Sequence, residues 1–269
     1  MRAAAIQMTS GRDVARNLED ASTLIAIAAG DGAEFVVLPE NFSFLGATDD
    51  ERLAAAEAPG DGPAQSFLSE QAREFGVWIV GGTIPIAQSD GRVRSRSLLV
   101  DAQGQVQAQY DKIHLFDVTV PGREAESYRE SATTQSGTDV VTVPTPFGRL
   151  GLSVCYDLRF PALYHRMSVL GTEILAVPAA FTVPTGRVHW QPLLQARAIE
   201  SLSYVVAAGQ VGEHAGGRRT YGHSMLVGPW GQVISCRESG AGVVSADLDM
   251  IVLRETRLSF PVLEHRREL

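Results

Sequence analysis

The chain has 269 residues, of which 45% are hydrophobic and 20% are charged, and this balance is typical of a globular protein. Its net charge of −8 and the absence of a basic stripe argue against nucleic acid or an anionic membrane as a partner. The two cysteines, Cys155 and Cys236, form neither a disulfide framework nor a C-x-x-C pair, and no signal peptide or membrane span is evident. We therefore expect a protein of the cytoplasm.

Apolar strands and amphipathic helices alternate along the chain. The patterns predict strands at 3–8, 34–38, 77–84, 150–154, 173–177 and 204–208, and helices at 14–29, 63–75, 161–170 and 191–201. Together with hairpins, such alternation predicts an α/β fold of two mixed sheets, each covered by helices on one face. No linker divides the chain, so we expect a single domain over residues 1–269.

Two segments of the chain resemble each other, and each predicts a hairpin. Residues 99–106 read LVDAQGQV, and residues 226–233 read LVGPWGQV. Each has apolar residues, a glycine turn and then Gln-Val, as a strand-turn-strand unit requires. The pair indicates a pseudo-twofold relation between the two sheets.

The stretch GLSVC at residues 151–155 is close to the G-x-S-x-G elbow that presents the nucleophile of serine hydrolases. The elbow needs glycine at its fifth position, where this sequence has Cys155. A strand that ends at residue 154 and a helix that begins at Pro161 would expose Cys155 at their junction, whereas Ser153 would point into the sheet. We therefore interpret Cys155, rather than Ser153, as the candidate nucleophile.

Three polar residues, Glu40, Lys112 and Cys155, follow apolar strands. Sites gather at strand ends in such sheets, although each residue alone also fits an ordinary role at the surface or in the core. Together they suffice for attack on an amide: a thiol nucleophile, a carboxylate base and a cation for the oxyanion, with the backbone N–H of Tyr156 as a further donor. Their positions along the chain do not show that they meet.

Three blocks of the sequence resemble the signature blocks of the nitrilase superfamily of carbon–nitrogen hydrolases, in the family's order. They are LPEN at 38–41, YDKIHL at 110–115 and VCYDLRFP at 154–161. The resemblance implies a four-layer αββα sandwich with helices on the outer faces, and an enzyme without a cofactor. It also implies a homodimer or higher homo-oligomer, paired through helices near the site and through the C-terminal tail, about 258–269.

The resemblance also implies a role for each residue of the site. Glu40 would be the general base, Lys112 would stabilise the oxyanion, and Cys155 would be the nucleophile. A second family glutamate matches Glu130, in the sequence YRES, and would position Lys112 or the substrate amide. No metal ligands are implied, and the six histidines form no compact metal pattern.

Further blocks narrow the resemblance to one branch of the superfamily. HLFD at 114–117, ARAIE at 196–200 and YGHSM at 221–225 resemble the branch that contains deaminated-glutathione amidase and ω-amidase. The expected substrate is a small carboxylate-bearing amide, deaminated glutathione, cleaved through a thioester to 2-oxoglutarate and cysteinylglycine. The alternatives are 2-oxoglutaramate, an N-carbamoyl compound, and an inactive family member that acts as a binding protein.

Four further residues are candidates for substrate binding: Phe181, Arg187, His189 and Tyr221. Arg187 stands where the family's loop has a proline, and an arginine there could pair with a substrate carboxylate, although it also fits a solvated loop. Tyr221 favours deaminated glutathione, because ω-amidases usually carry Trp at this position. His189 also fits two other roles, holding its loop or serving as the base of a Cys–His pair.

Overall fold

The computed structural model describes residues 1–120 and 126–267. Its strands are β1 (Arg2–Gln7), β2 (Phe35–Val37), β3 (Trp78–Val80), β4 (Ile84–Ala87), β5 (Val93–Val100), β6 (Val106–Asp111), β7 (Asp117–Val120), β8 (Glu126–Arg129), β9 (Thr142–Thr145), β10 (Gly148–Leu152), β11 (Ile174–Ala179), β12 (Tyr204–Gly209), β13 (Val211–Glu213), β14 (Arg219–Tyr221), β15 (Ser224–Val227), β16 (Val233–Arg237) and β17 (Gly242–Asp247). Its helices are α1 (Val14–Gly30), α2 (Asp49–Ala54), α3 (Pro63–Phe75), α4 (Pro161–Val169), α5 (Val183–Thr185), α6 (Gln191–Ser201) and α7 (Met250–Ser259). Within these described ranges, no helix is long and apolar enough to cross a membrane.

The two sheets are mixed, and parallel and antiparallel strand pairs follow each other in the same order in both. The first sheet runs β17-β1-β2-β3-β5-β6. Strand β3 pairs with the end of β5, at Leu99 and Val100, and β4 pairs with the beginning of β5, at 93–96. The second sheet runs β9-β10-β11-β12-β15-β16. In both, an antiparallel edge strand is followed by three parallel strands and then by an antiparallel hairpin. The two sheets thus have equivalent strand orders, which agrees with the prediction from the two matching segments; the twofold relation itself stays a prediction.

The two matching segments are hairpins at equivalent places in their sheets, β5–β6 and β15–β16. Each hairpin has a register shift at the matching position, between Leu99 and Val100 and between Leu226 and Val227. Each turn is closed by equivalent backbone hydrogen bonds. Each turn glycine has a positive φ, +78° at Gly104 and +85° at Gly231.

The sheets pack face to face, and helices cover both outer faces. Along β1, Ala3 and Ala5 belong to the core shared with the second sheet, whereas Ala4 and Ile6 pack under α1 and α3. This alternation follows from the two-residue period of a strand. On the other side, apolar residues of α4 and α6 pack against the second sheet. The four-layer αββα sandwich expected from the resemblance is confirmed.

Local sequence signals located most of the elements. Helices α3 and α6 have the predicted bounds, and most predicted strands overlap the observed ones within two residues. The segment predicted as one strand at 77–84 is instead β3 and β4, because the chain turns between them at Gly82, with φ of +44°. A Cβ at Gly82 would lie 2.0 Å from the carbonyl oxygen of Pro39, so only glycine fits. This close approach supports the chain just before Glu40.

Candidate active site

Three strand ends bring Glu40, Lys112 and Cys155 together in one buried cluster. Lys112 Nζ donates to Glu40 Oε1 at 2.8 Å, and the Glu40 carboxylate lies close enough to the Cys155 thiol to raise the pKa of that thiol. Glu40 is 4% exposed, Lys112 2% and Cys155 7%. A thiol, a carboxylate and a cation are thus in contact at a place where little water competes for them.

The backbone presents Cys155 at a sharp turn after β10. Its φ of +48° lies in the left-handed region, which costs a residue with a side chain about 1–2 kcal/mol. A single 3-10 turn, Cys155–Arg159, follows, and Pro161 then begins α4 at the first helical position. Strain of this kind persists where the surroundings hold it and is typical of functional positions.

Ser153, the alternative nucleophile considered from the sequence, lies within the core. Its Oγ donates to the carbonyl oxygen of Ala176 at 3.0 Å and accepts from Tyr164 Oη at 2.9 Å. The residue is 1% exposed and does not line the cavity described below. Its hydroxyl therefore joins the chain after β10 to β11 and α4, and it does not line the cavity.

A buried carboxylate, Asp157, joins the loop of the lysine to the loop of the nucleophile. From the lysine side it accepts from Tyr110 Oη at 2.7 Å and from the backbone N–H of His114 at 3.0 Å, and it contacts His114 Nδ1 at 2.7 Å. From the nucleophile side it accepts from the backbone N–H of Val154 at 2.9 Å. Residues on both sides of Lys112, and the residue before the nucleophile, are thus bound to one fully buried side chain.

Glu130 is a second carboxylate on the lysine. Lys112 Nζ donates to Glu130 Oε2 at 2.9 Å, and the backbone N–H of Phe116 donates to the same oxygen at 2.8 Å. Arg52, from α2, approaches Glu130 Oε1 at 3.6 Å. The lysine is therefore held from two sides, and its ammonium group has little freedom to move.

Burial and neighbouring charges have opposite effects on the pKa values of Lys112 and Glu130. Burial alone would lower the pKa of Lys112, but Glu130 and Glu40 outweigh it and raise this pKa above that of a free lysine. Burial would raise the pKa of Glu130, yet Lys112 and Arg52 hold it well below its usual range. Burial and the charge of Glu40 raise the pKa of the Cys155 thiol well above its ordinary value. The resting cluster thus contains an ammonium group and a neutral thiol.

A cavity of about 130 Å³ opens onto the cluster. Its lining includes Glu40, Lys112, Glu130 and Cys155, and Asp49 is a further carboxylate. The other lining side chains include four aromatic rings and four arginines: Phe116, Tyr128, Tyr156, Phe181, Arg52, Arg129, Arg159 and Arg218. This lining suits a small anionic substrate with apolar carbon atoms. In the described part of the chain, no group of three or more His, Cys, Asp or Glu could hold a metal ion.

Arg159 lies beside the nucleophile, four residues after it. Its Cζ is 5.7 Å from the ring centroid of Tyr156 and 5.3 Å from that of Phe181. Its Nη1 donates to His189 Nδ1 at 3.1 Å. No ion pair within residues 1–120 and 126–267 involves Arg159, so its charge is available to a ligand in the cavity.

Of the four residues predicted to bind substrate, one lines the cavity and three do not. Phe181 lines the cavity, whereas Arg187, His189 and Tyr221 are not among its lining residues. Arg187 is exposed in a π-helical turn between α5 and α6, and Tyr221 stacks on the ring of His223. His189 is hydrogen bonded to Arg159, which does line the cavity. Any role of Arg187 and Tyr221 with substrate stays a prediction.

Several residues of the site were not predicted from the sequence. Asp157 and Arg159 lie inside the block VCYDLRFP, so the position of each near the nucleophile was a usable signal. Arg52 belongs to α2, a six-residue helix that the pattern did not locate. Arg218 lies in a glycine-rich turn before β14, and nothing local indicates that it reaches the cavity.

The arrangement is suited to acyl transfer through a thioester. The Glu40 carboxylate lies beside the thiol and is able to accept its proton, and the cation of Lys112 is able to stabilise negative charge on a carbonyl oxygen attacked by the sulfur. Tyr156, directly after the nucleophile, lines the same cavity. The cluster thus contains the groups that attack on an amide needs: a thiol, a proton acceptor and a cation.

Comparison with known proteins agrees with this chemistry. The family model for carbon–nitrogen hydrolases matches residues 2–258. The chain is 44% identical to deaminated glutathione amidase from Synechocystis sp. over 268 residues, which are 98% of this chain and 97% of that protein.

Solved structures agree as well. The fold is similar to that of Nit3 from Saccharomyces cerevisiae, a nitrilase superfamily member, with a TM-score of 0.89, 28% identity and coverage of 100% and 97% of the two chains. It is also similar to a mutant amidase from Nesterenkonia sp. AN1 in which acrylamide has added to the active-site cysteine, with a TM-score of 0.81, 27% identity and coverage of 97% and 98%. The chain therefore belongs to the carbon–nitrogen hydrolase family, within the nitrilase superfamily, and is an amidase.

Proposed function

We propose that the chain hydrolyses deaminated glutathione to 2-oxoglutarate and cysteinylglycine through a thioester on Cys155. The similarity to deaminated glutathione amidase over nearly the whole of both chains supports this substrate. The observation that carries the proposal is the position of Arg159, a guanidinium group without a carboxylate partner among the described residues, in the cavity of the nucleophile. Such a group binds a carboxylate through charge-assisted hydrogen bonds.

The acyl half of the substrate ends in a 2-oxo acid, whose carboxylate would pair with Arg159. The methylene groups between this carboxylate and the amide would lie against Phe181, which packs on the same arginine. Because Arg159 and Cys155 line one small cavity, a carboxylate bound at the arginine places the amide carbon near the sulfur.

In the first half-reaction, Glu40 takes the proton of the Cys155 thiol as the sulfur attacks the amide carbon. Lys112 and the backbone N–H of Tyr156 hold the negative charge on the carbonyl oxygen. As the tetrahedral intermediate collapses, Glu40 gives its proton to the leaving nitrogen, and the C–N bond breaks. Cysteinylglycine leaves, and the 2-oxoglutaryl group remains as a thioester.

In the second half-reaction, Glu40 takes a proton from water, whose oxygen attacks the thioester carbon. The same oxyanion donors act again, the C–S bond breaks, and the sulfur recovers the proton from Glu40. Glu130 contributes by fixing the lysine, through the 2.9 Å contact between Lys112 Nζ and Glu130 Oε2. Each step uses a proton that the previous step made available.

The test measures release of 2-oxoglutarate from deaminated glutathione and from 2-oxoglutaramate, side by side, with Cys155→Ala as the blank. We expect a clear preference for deaminated glutathione, and no turnover by Cys155→Ala although its thermal unfolding resembles that of the wild type. A preference for 2-oxoglutaramate would instead identify an ω-amidase. Full activity of Cys155→Ala would contradict the mechanism, and activity on neither compound would contradict the substrate.

We also propose that two copies of the chain form a homodimer through α4, α6 and the hairpin turn at Trp230. Five large apolar residues are exposed there: Val169, Leu170, Ile199, Trp230 and Phe260. Exposed apolar surface of this extent is typical of a protein interface. The tail takes part, because Phe260 packs on Trp230 and Arg266 is hydrogen bonded to Ser168; its residues 268–269 lie outside the described residues.

We propose a reducing compartment, the cytoplasm, as the place of action. The mechanism requires a free thiol at Cys155, and Cys236 is a second free thiol that is exposed. A reducing compartment keeps both from oxidation. Fractionation of the source cells, with amidase activity on deaminated glutathione as the readout, tests this location.

A further inference from the structure

A wider outer depression, of about 660 Å³, adjoins the cavity of the nucleophile. The two spaces share Asn41, Asp49, Arg52, Tyr128, Arg129 and Arg218. Neither Cys155 nor Arg159 lines the outer depression. The site therefore has an inner end at Arg159 and an outer end where these shared residues lie.

The chemistry of the reaction assigns the two ends. The acyl group stays bound to Cys155 after the first half-reaction, whereas the leaving group must depart and water must enter. An inner end that holds the acyl group and an outer end that holds the leaving group meets both needs. The outer depression, about 660 Å³, also has room for a dipeptide, whereas the inner cavity, about 130 Å³, is too small for one in addition to the acyl group.

The outer end carries an excess of positive charge. Arg52, Arg129 and Arg218 lie there against one carboxylate, Asp49. Arg52 is already engaged, because it approaches Glu130 and is hydrogen bonded to Ser95. Arg129 is exposed to solvent, so a contact with it would be weakened by screening.

Arg218 is the arginine best placed to bind an anion. Its Nη2 donates to the carbonyl oxygen of Ala180 at 3.0 Å, and its Cζ lies 5.3 Å from the ring centroid of Tyr128. Ala180, Arg218 and Cys155 line the same cavity. The guanidinium group is therefore held at the wall of the cavity that contains Cys155, by one hydrogen bond and one aromatic ring.

Arg218 also has unused hydrogen-bonding capacity. Its Nε is buried and has no hydrogen-bond partner among the described residues, and no ion pair in that part of the chain involves its charge. Because Nε is inaccessible to solvent, the donor left for a ligand is the other terminal nitrogen, Nη1, for which no hydrogen bond is found within the described residues. A carboxylate in the outer depression can accept from this nitrogen in a charge-assisted hydrogen bond.

We propose that Arg218 binds the C-terminal carboxylate of the leaving group and so selects substrates whose amide nitrogen belongs to a peptide. The inference rests on the proposed function, and it names the residue that separates deaminated glutathione from 2-oxoglutaramate, whose leaving group is ammonia. It differs from the expectation for Arg187, which is exposed and does not line either space.

The kinetic test compares Arg218→Met with the wild type on three substrates: deaminated glutathione, its C-terminal carboxamide and 2-oxoglutaramate. We expect the ratio of kcat/KM for deaminated glutathione over 2-oxoglutaramate to fall about 30-fold, the effect of losing a charged hydrogen bond. For the wild type, kcat/KM should be lower on the carboxamide than on deaminated glutathione by a similar factor. For Arg218→Met, kcat/KM should be the same on the two compounds, since the substitution and the carboxamide remove the same interaction.

The control is Arg219→Met, which removes the same charge from the next, exposed residue and should leave the ratio unchanged. A purely structural role for Arg218 would lower kcat/KM on both substrates equally, and an unchanged ratio in Arg218→Met would overturn the proposal. A fall in the ratio for Arg187→Met, with none for Arg218→Met, would overturn it in favour of Arg187.

A binding experiment keeps the proposal separate from the proposed function. Calorimetry measures cysteinylglycine and its C-terminal amide on the Cys155→Ala protein, with and without Arg218→Met. Tighter binding of the acid than of the amide, lost in Arg218→Met, supports the subsite even if the wild type hydrolyses neither substrate. Equal binding of acid and amide, or no saturable binding of either, overturns it.

Discussion

Lys112 shows how a buried charge is kept in this site and why the thiol beside it stays neutral. Its ammonium group lies between Glu40 and Glu130, at 2.8 and 2.9 Å. Burial of such ions is tolerated only when each has a close partner, and removal of one partner leaves the others uncompensated. The negative charge of Glu40 also acts on Cys155, whose thiol pKa it raises together with burial. We therefore expect the thiol to lose its proton to Glu40 during attack, and not beforehand.

Glu40→Gln tests this account through the sign of a pKa change. Removing the negative charge favours the thiolate, so the pKa of Cys155 should fall and alkylation by iodoacetamide should show a midpoint at lower pH. Hydrolysis should nevertheless fall by about 10²–10⁴-fold, because the general base is lost. Peptide mass spectrometry of alkylated Cys155 across pH, with exposed Cys236 as an internal reference, measures the midpoint.

The matched control is Lys112→Met, for which the sign is opposite. Lys112 lowers the pKa of the thiol, so its removal should move the alkylation midpoint to higher pH. Midpoints that shift the same way in both variants would show that packing, and not charge, governs the thiol.

At the scale of elements, the β5–β6 and β15–β16 hairpins show how a short sequence pattern determines local structure. The two turns share their backbone hydrogen bonds and their positive-φ glycine, although Gln103 in one corresponds to Trp230 in the other. Glycine is needed because the left-handed region is costly for other residues. The surroundings differ, however, and this difference allows a paired test.

Gly104→Ala and Gly231→Ala should both destabilise the fold, but to different extents. A Cβ at Gly104 would lie 2.5 Å from the backbone oxygen of Ser69, whereas one at Gly231 would lie 2.6 Å from the flexible end of Ile199. We expect a loss of about 1–2 kcal/mol at Gly231, from the backbone conformation, and about 1 kcal/mol more at Gly104, where backbone must move. Urea denaturation at one protein concentration measures both. Equal losses would mean that the neighbouring atoms do not matter.

At the scale of the whole molecule, the sandwich leaves its two outer helical layers unequal. Helices α1 and α3 cover the first sheet, and α4 and α6 cover the second. The second layer has exposed apolar residues that continue onto Trp230 and Phe260, which pack on each other edge to face. This continuity is why we assign the proposed dimer to α4 and α6.

Ile199→Glu should therefore convert the dimer to a monomer, and Ile27→Glu should not. The two isoleucines are matched, because Ile199 on α6 is 51% exposed and Ile27 on α1 is 49% exposed. A charge buried in the interface has no partner there, which costs several kcal/mol and raises the dissociation constant by more than about 100-fold. Sedimentation equilibrium at micromolar concentration gives the mass. A monomeric wild type would mean that no such dimer forms. Loss of the dimer in Ile27→Glu alone would place the interface at α1.

Much of the fold and the cluster could be predicted from the sequence because the signals are local. Periodicity and proline gave the bounds of α3 and α6, and a glycine turn flanked by apolar residues identified both hairpins. The blocks around Glu40, Lys112 and Cys155 carried the family resemblance. Residue type and chain position were sufficient for these predictions, because each depends on neighbours within about ten residues.

The remaining features depend on contacts between segments far apart in the chain, and only the tertiary structure decided them. The sequence named Arg187 as the candidate for binding a carboxylate, but a π-helical turn leaves it exposed, whereas Arg218 reaches the cavity through Ala180 and Tyr128. By itself, the sequence determined which residues can do the chemistry and the two-sheet sandwich that holds them. The packing of loops decided which charges line the cavity, because that depends on distances between residues that local patterns do not record.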